Sequence, residues 1–235
     1  MIKLPLKISD ILVDLDDTIS PFNGKDYFWD GLIQMLIEKF EISSLEAKNR
    51  IAEYTREDKS LEDPNNIYRL CVKFGISPDE LWNRSMRYLG KNSFHYPDAV
   101  EMVKTMHARY FRLHLATNRF GLWLDTRLAA AGLGDKNGSK YFNHYFTSKH
   151  GYGCKLDNDY YSKILTALEV PSDNVLMIGD SLEQDLYNAN KAGIKNVVII
   201  DRAQQKKMVL TDAIYLNSLS LLSEILECKW DAAVI

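Results

Sequence analysis

Ile11-Leu12-Val13-Asp14-Leu15-Asp16-Asp17-Thr18 is a short apolar run that turns abruptly acidic. Branched residues without polar interruption suit a strand buried on both faces, and such strands belong to parallel sheets covered by helices. Similar runs recur at Phe111–Ala116, Tyr141–Phe146, Val175–Ile178 and Val197–Ile200. Helical patterns lie between them. Pro97–Tyr110 has a proline in its first turn, and Leu122–Ala131 stops at Gly132. Asn158–Glu169 stops before Val170-Pro171, and Leu182–Ala192 stops at Gly193. Strands alternating with helices of this length predict a doubly wound, Rossmann-like α/β core built on a parallel sheet.

The alternation fails between residues 20 and 95, where the pattern is helical throughout. Trp29, Ile33, Leu36 and Phe40 form one stripe of an amphipathic helix. Ser43-Ser44 offer an N-cap to Leu45–Arg56, with Glu46 placed to complete a capping box with Ser43. Asp63-Pro64 and Ser77-Pro78-Asp79 read as two further helix starts, with Phe74-Gly75 as a stop between them. The expected organisation is an α/β core of residues 1–19 and 96–235, with an inserted all-helical cap at 20–95. An insertion at a strand's C-terminal end borders the crevice where open α/β sheets bind ligands, so a lid is expected.

Composition narrows the function classes. The 235 residues, 46% hydrophobic and 26% charged, fit a folded chain of one large domain or a core with a smaller partner. A formal charge of −3 supplies no general attraction to nucleic acid or anionic membranes. Cys71, Cys154 and Cys228 are too scattered for a disulfide framework or a thiolate zinc site. The apolar stretch in 1–17 is short and broken by acids, and no run approaches the ~18 apolar residues of a membrane span, so a cytoplasmic protein is expected. His95, His107, His114, His144 and His150 show no metal-ligand spacing. Gly151-Tyr152-Gly153 begins like a dinucleotide turn, but Leu156 stands at its third glycine position.

The candidate chemistry sits at strand ends. Asp14 and Asp16 share a face if the strand continues, and two close carboxylates require a proton or a cation. Hard oxygen donors of this kind suit Mg²⁺ together with a substrate phosphate. Gly179-Asp180-Ser181 follows the run Val175–Ile178, bringing Asp180, with Asp185 close behind, to the same edge. The helix starting near Ser181 offers free N–H groups there. Thr117, with Asn118 beside it, follows Phe111–Ala116 and can bind a phosphate oxygen. Lys155 precedes a late helix and can neutralise phosphate charge. Each feature alone has an ordinary structural reading as a cap, a turn or solvated surface. Their order along one sheet edge is what points to chemistry.

These residues resemble the four motifs of the haloacid dehalogenase-like (HAD) superfamily, over almost the whole chain. Asp14-Leu15-Asp16-Asp17-Thr18 is similar to its first motif, Thr117-Asn118 to its second, Lys155 to its third and Gly179-Asp180 with Asp185 to its fourth. The helical insertion is similar to that superfamily's cap between the first two motifs. Two departures stand out. Lys155 is followed by Leu156 where many relatives have proline, which leaves Lys149 as a rival. Asp16 is an acid that the haloacid dehalogenases themselves lack, which favours phosphate-ester chemistry over carbon–halogen cleavage.

The resemblance implies a Mg²⁺-dependent phosphomonoester hydrolase acting on a small phosphorylated metabolite. Asp14 would be the nucleophile and Asp16 the general acid and base. Thr117, Asn118 and Lys155 would bind the phosphate. The metal set would be drawn from Asp14, Asp16, Asp180 and Asp185, the last also able to orient Lys155. Arg50, Arg56, Arg69, Arg84 and Arg87, and the aromatics Phe22, Tyr27, Phe28 and Trp29, are the cap residues open to substrate contact. No nucleic-acid or membrane partner is expected, and oligomeric state is not legible. Alternatives are a phosphosugar mutase of the same superfamily, a phosphorylatable receiver-like module and a non-catalytic phosphate-binding module.

Overall fold

Short runs of branched residues lead to strands buried along their length, and those strands set the architecture. The structure, a computed structural model, describes residues 7–21, 27–62, 66–92, 95–203, 208–209 and 213–226. The strands are β1 (Asp10–Val13), β2 (Arg112–Ala116), β3 (His144–Phe146), β4 (Val175–Gly179), β5 (Asn196–Ile200), β6 (Met208–Val209) and β7 (Ile214–Leu216). They form one sheet in the order β3-β2-β1-β4-β5-β7-β6. Every pairing is parallel except that of β6 with β7. The order reverses at β1, between β2 and β4, which is where such sheets open a binding crevice.

The helices are α1 (Tyr27–Phe40), α2 (Ser44–Glu57), α3 (Ile67–Lys73), α4 (Pro78–Asn92), α5 (Pro97–Ala108), α6 (Gly121–Ala130), α7 (Tyr160–Leu168), α8 (Asn188–Lys191) and α9 (Leu222–Ile225). A π-helical turn, Leu182–Tyr187, leads into α8. Five runs expected as strands are present, although at Tyr141–Phe146 only His144–Phe146 pairs. The two edge strands β6 and β7, of two and three residues, are too short to carry a legible period.

Two compact units result: Met1–Phe22, His95–Asn118 and Ser139–Ile235 form one, Asn23–Phe94 and Arg119–Gly138 the other. In the first, Leu12, Met177, Val197 and Ile199 share a cluster with Tyr160, Tyr161 and Ile164 of α7. The alternate strand residues Ile11, Val13, Leu176 and Ile178 are also fully buried, as expected of a sheet covered on both faces. The second unit takes in α6, whose position after β2 places it in the core by sequence alternation. Leu122 and Trp123 of α6 instead pack in one cluster with Leu36, Leu70 and Leu81.

Within the helical unit, Ser43 Oγ accepts the Glu46 N–H at 3.1 Å, a cap worth about 1 kcal/mol. Glu46 turns its Oε1 to Arg50 one helical turn on, at 2.8 Å. The core face of α1 is Leu32, Met35 and Leu36, whereas Phe40 is 37% exposed with the Arg50 guanidinium over its ring. Gly75, at φ 62°, ends α3, and α4 starts at Pro78. Asp63-Pro64 lie outside the described residues, as does Cys228. Among the described residues no helix is long and apolar enough to cross a membrane.

Candidate active site

The acids stand where β1 and β4 run out. The Asp14 N–H still donates to the Ile178 carbonyl at 2.9 Å, so Asp14 continues the ladder beyond Val13. The period of two then puts its side chain on the face of Leu12, the face that α7 covers. Strand geometry ends at the next residues. Ile19 N–H and Ser20 N–H both return to the Leu15 carbonyl, and Asp17 sits at φ 54°, a left-handed conformation that aspartate tolerates. This turn is braced from within the same unit: Arg202 donates to the Thr18 carbonyl at 3.1 Å and, from its other nitrogen, to both oxygens of Asp98.

Lys155 is the centre of the cluster. Its side chain is buried, and Nζ lies 2.5 Å from Asp14 Oδ1 and 2.5 Å from Asp185 Oδ1. Burial alone would push this ammonium toward neutrality, but the two carboxylates outweigh it and raise its pKa. The rival Lys149 is exposed on the turn Ser148–His150. The loop reaches Lys155 through Gly151 and Gly153, at φ 86° and 85°.

Asp180 follows β4 directly, and Asp185 returns to the same place from the π-helical turn. Carboxylate oxygens of Asp14, Asp180 and Asp185 lie within 4.8 Å of one another, a group able to hold a metal ion. Asp16 is not in this group, but its charge bears on Asp14 from the turn that follows the strand. Asp185 Oδ1 holds Lys155, and its Oδ2 accepts the Ser181 N–H at 3.1 Å. Burial, reinforced by Asp185 and Asp16 and opposed by Lys155, raises the Asp14 pKa to about 8. Burial, with Asp185 and Asp17, raises Asp180 to about 6. Carboxylates crowded beyond what one ammonium offsets fit a hard divalent cation bound by oxygen.

Gly179 permits this packing. A Cβ there would overlap the Asp185 carboxylate. Gly179→Ala is therefore expected to displace Asp185, cost about 1–3 kcal/mol and reduce turnover. Thermal denaturation and kinetics check this, and a fully active variant of unchanged stability contradicts it.

Thr117 stands one residue past β2 at the same edge, buried, with its N–H on the Phe146 carbonyl. Asn118, expected at the substrate, engages both ends of its amide within the protein: Oδ1 accepts the Lys155 N–H and Nδ2 donates to Gln184 Oε1, each at 2.9 Å. Three residues contacting this network have no counterpart in the sequence-based set. Asn188 donates to the Lys155 carbonyl, Tyr161 donates its hydroxyl to the Gln184 carbonyl, and Gln184 bonds Asn118. Asn188 and Tyr161 act on main-chain carbonyls, which no side-chain spacing marks.

Of the cations expected as open to substrate, Arg50 pairs with Glu46, Arg69 with Asp58, and Arg84 with Glu38 and Glu80. Trp29 packs against the helical unit's apolar cluster. Phe22 and the side chains of Tyr27 and Phe28 lie outside the description.

Acids after β1 and β4, a threonine after β2 and a buried lysine thus gather at one edge of the parallel strands. The chain belongs to the haloacid dehalogenase-like hydrolases, whose family model matches residues 11–193. It is 27% identical over 201 residues to the pyrimidine 5'-nucleotidase PynA of Streptococcus pneumoniae (strain ATCC BAA-255 / R6), covering 80% of this chain and 81% of that one. Its fold is similar to a HAD phosphatase from Thermococcus onnurineus, with a TM-score of 0.59, 21% identity, and 93% and 97% of the two chains covered. It is also similar to a 2-haloacid dehalogenase from Pseudomonas syringae pv. Tomato DC3000, with a TM-score of 0.59, 17% identity and the same coverage.

Proposed function

We propose that this hydrolase is a Mg²⁺-dependent phosphomonoesterase acting on a small phosphorylated metabolite through an aspartyl-phosphate at Asp14. The observation that carries the reading is the buried Asp14–Lys155–Asp185 contact, with Asp180 beside it. Lys155 holds Asp14 Oδ1, which leaves Oδ2 as the attacking oxygen. Asp14 bonds to phosphorus in line, the ester P–O bond breaks, and its electron pair leaves on the alkoxide, which takes a proton from Asp16. Asp16 then takes a proton from the water that attacks phosphorus, releasing inorganic phosphate and restoring Asp14. Thr117 and Lys155 orient the non-bridging oxygens. Asp14, Asp180 and the Asp16 carbonyl are the groups to hold the cation, which when bound offsets the charge of nucleophile and phosphate. With both Asp185 oxygens engaged, that residue positions Lys155.

The acid at Asp16 favours phosphate esters over haloacids. The likeness to a pyrimidine 5'-nucleotidase puts nucleoside 5'-monophosphates first among substrates. The test is a phosphomonoester panel with and without Mg²⁺. Phosphate release that requires the cation is expected, and none across the panel overturns the reading.

Cation binding also has a signature in stability. Asp14 and Asp180 have pKa values raised by folding, to about 8 and about 6. Folded protein without cation therefore binds protons more tightly than the unfolded chain, and loses stability as pH rises from the ordinary carboxylate range through these values. Mg²⁺ competes with those protons. Its addition is expected to raise Tm more at about pH 8 than at about pH 5. An equal effect at both contradicts the ligand assignment.

A further inference from the structure

Lys155 is held at three points, and none of them is a sheet ladder. Nζ is taken by Asp14 and Asp185. Its backbone N–H goes to Asn118 Oδ1 and its carbonyl to Asn188 Nδ2, each at 2.9 Å. Asp185 and Asn188 are three residues apart on the π-helical turn and the helix it feeds, and both are buried. A π-helical turn widens the helix, and such insertions recur at functional sites. One stretch of helix thereby reaches both the ammonium and the main chain of the same lysine. Asn188 is itself steadied, its Oδ1 accepting from Lys191 Nζ at 3.0 Å.

We infer that Asn188 is a positioning residue for the reaction: by fixing the Lys155 carbonyl while Asp185 fixes its ammonium, it sets where Lys155 meets Asp14 and the phosphate. The chemistry supports a directed role. The loop carrying Lys155 turns through two left-handed glycines and is closed by turn bonds such as Tyr152 N–H to the Thr147 carbonyl and Asp157 N–H to the Cys154 carbonyl. Side-chain amides therefore hold the Lys155 main chain where a strand would supply backbone partners. Asn118 holds the opposite side of the same residue, bridging to Gln184. Removing the Asn188 donor leaves Asp185 in place but lets the lysine main chain shift, and a displacement of about 1 Å at such a site can cost about 100-fold in rate.

This inference rests on the assignment of Lys155 to the phosphate site, so its test has a readout independent of turnover. The full chain is acylated under native conditions, and labelling of Lys155 is measured by mass spectrometry against exposed Lys149. Asn188→Ala and Asn188→Asp are compared with the original protein. The second variant has the same shape, keeps an acceptor for Lys191 and lacks the donor, so it serves where the first does not fold. The expected result is an increase in Lys155 labelling of about tenfold. With it, kcat on a hydrolysed phosphate ester falls about 10- to 100-fold, and Tm changes little. A folded variant with unchanged Lys155 labelling overturns the inference, whatever its kcat. Increased labelling in a protein that hydrolyses no phosphate ester upholds the grip on Lys155 and removes only the phosphatase reading.

Discussion

Asp14→Asn is expected to abolish phosphate-ester turnover while the protein stays folded. The amide keeps an oxygen to accept from Lys155, so the contact at 2.5 Å has a neutral replacement of the same shape. What disappears is the carboxylate proposed as the nucleophile. Removing the nucleophile of a hydrolase that works through a covalent intermediate costs on the order of 10⁴-fold or more in kcat. Stability moves the other way. A carboxyl whose pKa is raised by folding to about 8 has to take up a proton to fold at neutral pH, which opposes folding, so Asp14→Asn without cation is expected to equal or exceed the original protein in Tm there. Parallel kinetics and calorimetry check both parts. Turnover within tenfold of the original contradicts the nucleophile assignment.

Lys155→Met is expected to give the largest stability effect. The substitution matches the lysine's length but leaves Asp14 and Asp185, both buried, facing each other without their shared ammonium. Breaking a buried ion pair from one side costs about 3–5 kcal/mol, because the partner charge is stranded. For a chain of this size that is a fall in Tm of roughly 6–20 °C, together with loss of activity. The second half of the prediction separates stranded charge from lost packing. Adding Asp185→Asn to Lys155→Met removes one orphan acid and should recover part of the lost Tm. If the double variant is no more stable than Lys155→Met alone, the three groups do not interact as described.

Much of this candidate site is legible in the sequence. Four strand ends could be located because β1, β2, β4 and β5 are apolar runs buried on both faces, and the residue following each run inherits the sheet edge. That is why Asp14, Thr117 and Asp180 could be placed together. The route by which Asp16 comes near Asp14 was less legible, since the expectation assumed strand geometry continuing past Asp14. The left-handed Asp17 and the return of Ile19 to Leu15 turn the chain there, and the Asp16 charge still bears on Asp14. Asn188 and Tyr161 were hidden for another reason. Each acts through a main-chain carbonyl, of Lys155 and Gln184, and a partner that any residue can supply leaves no mark in side-chain spacing. The grouping of α6 with the helical unit was likewise illegible, because its apolar face reads the same whichever layer it covers.

The most direct test is to acid-quench the protein during turnover, in the original form and as Asp16→Asn, and map added phosphate by mass spectrometry. A single phosphoryl group on the peptide carrying Asp14, accumulating further when Asp16 cannot activate water, is the predicted result. Steady hydrolysis with no phosphoryl adduct in either protein, or an adduct on another residue, contradicts it.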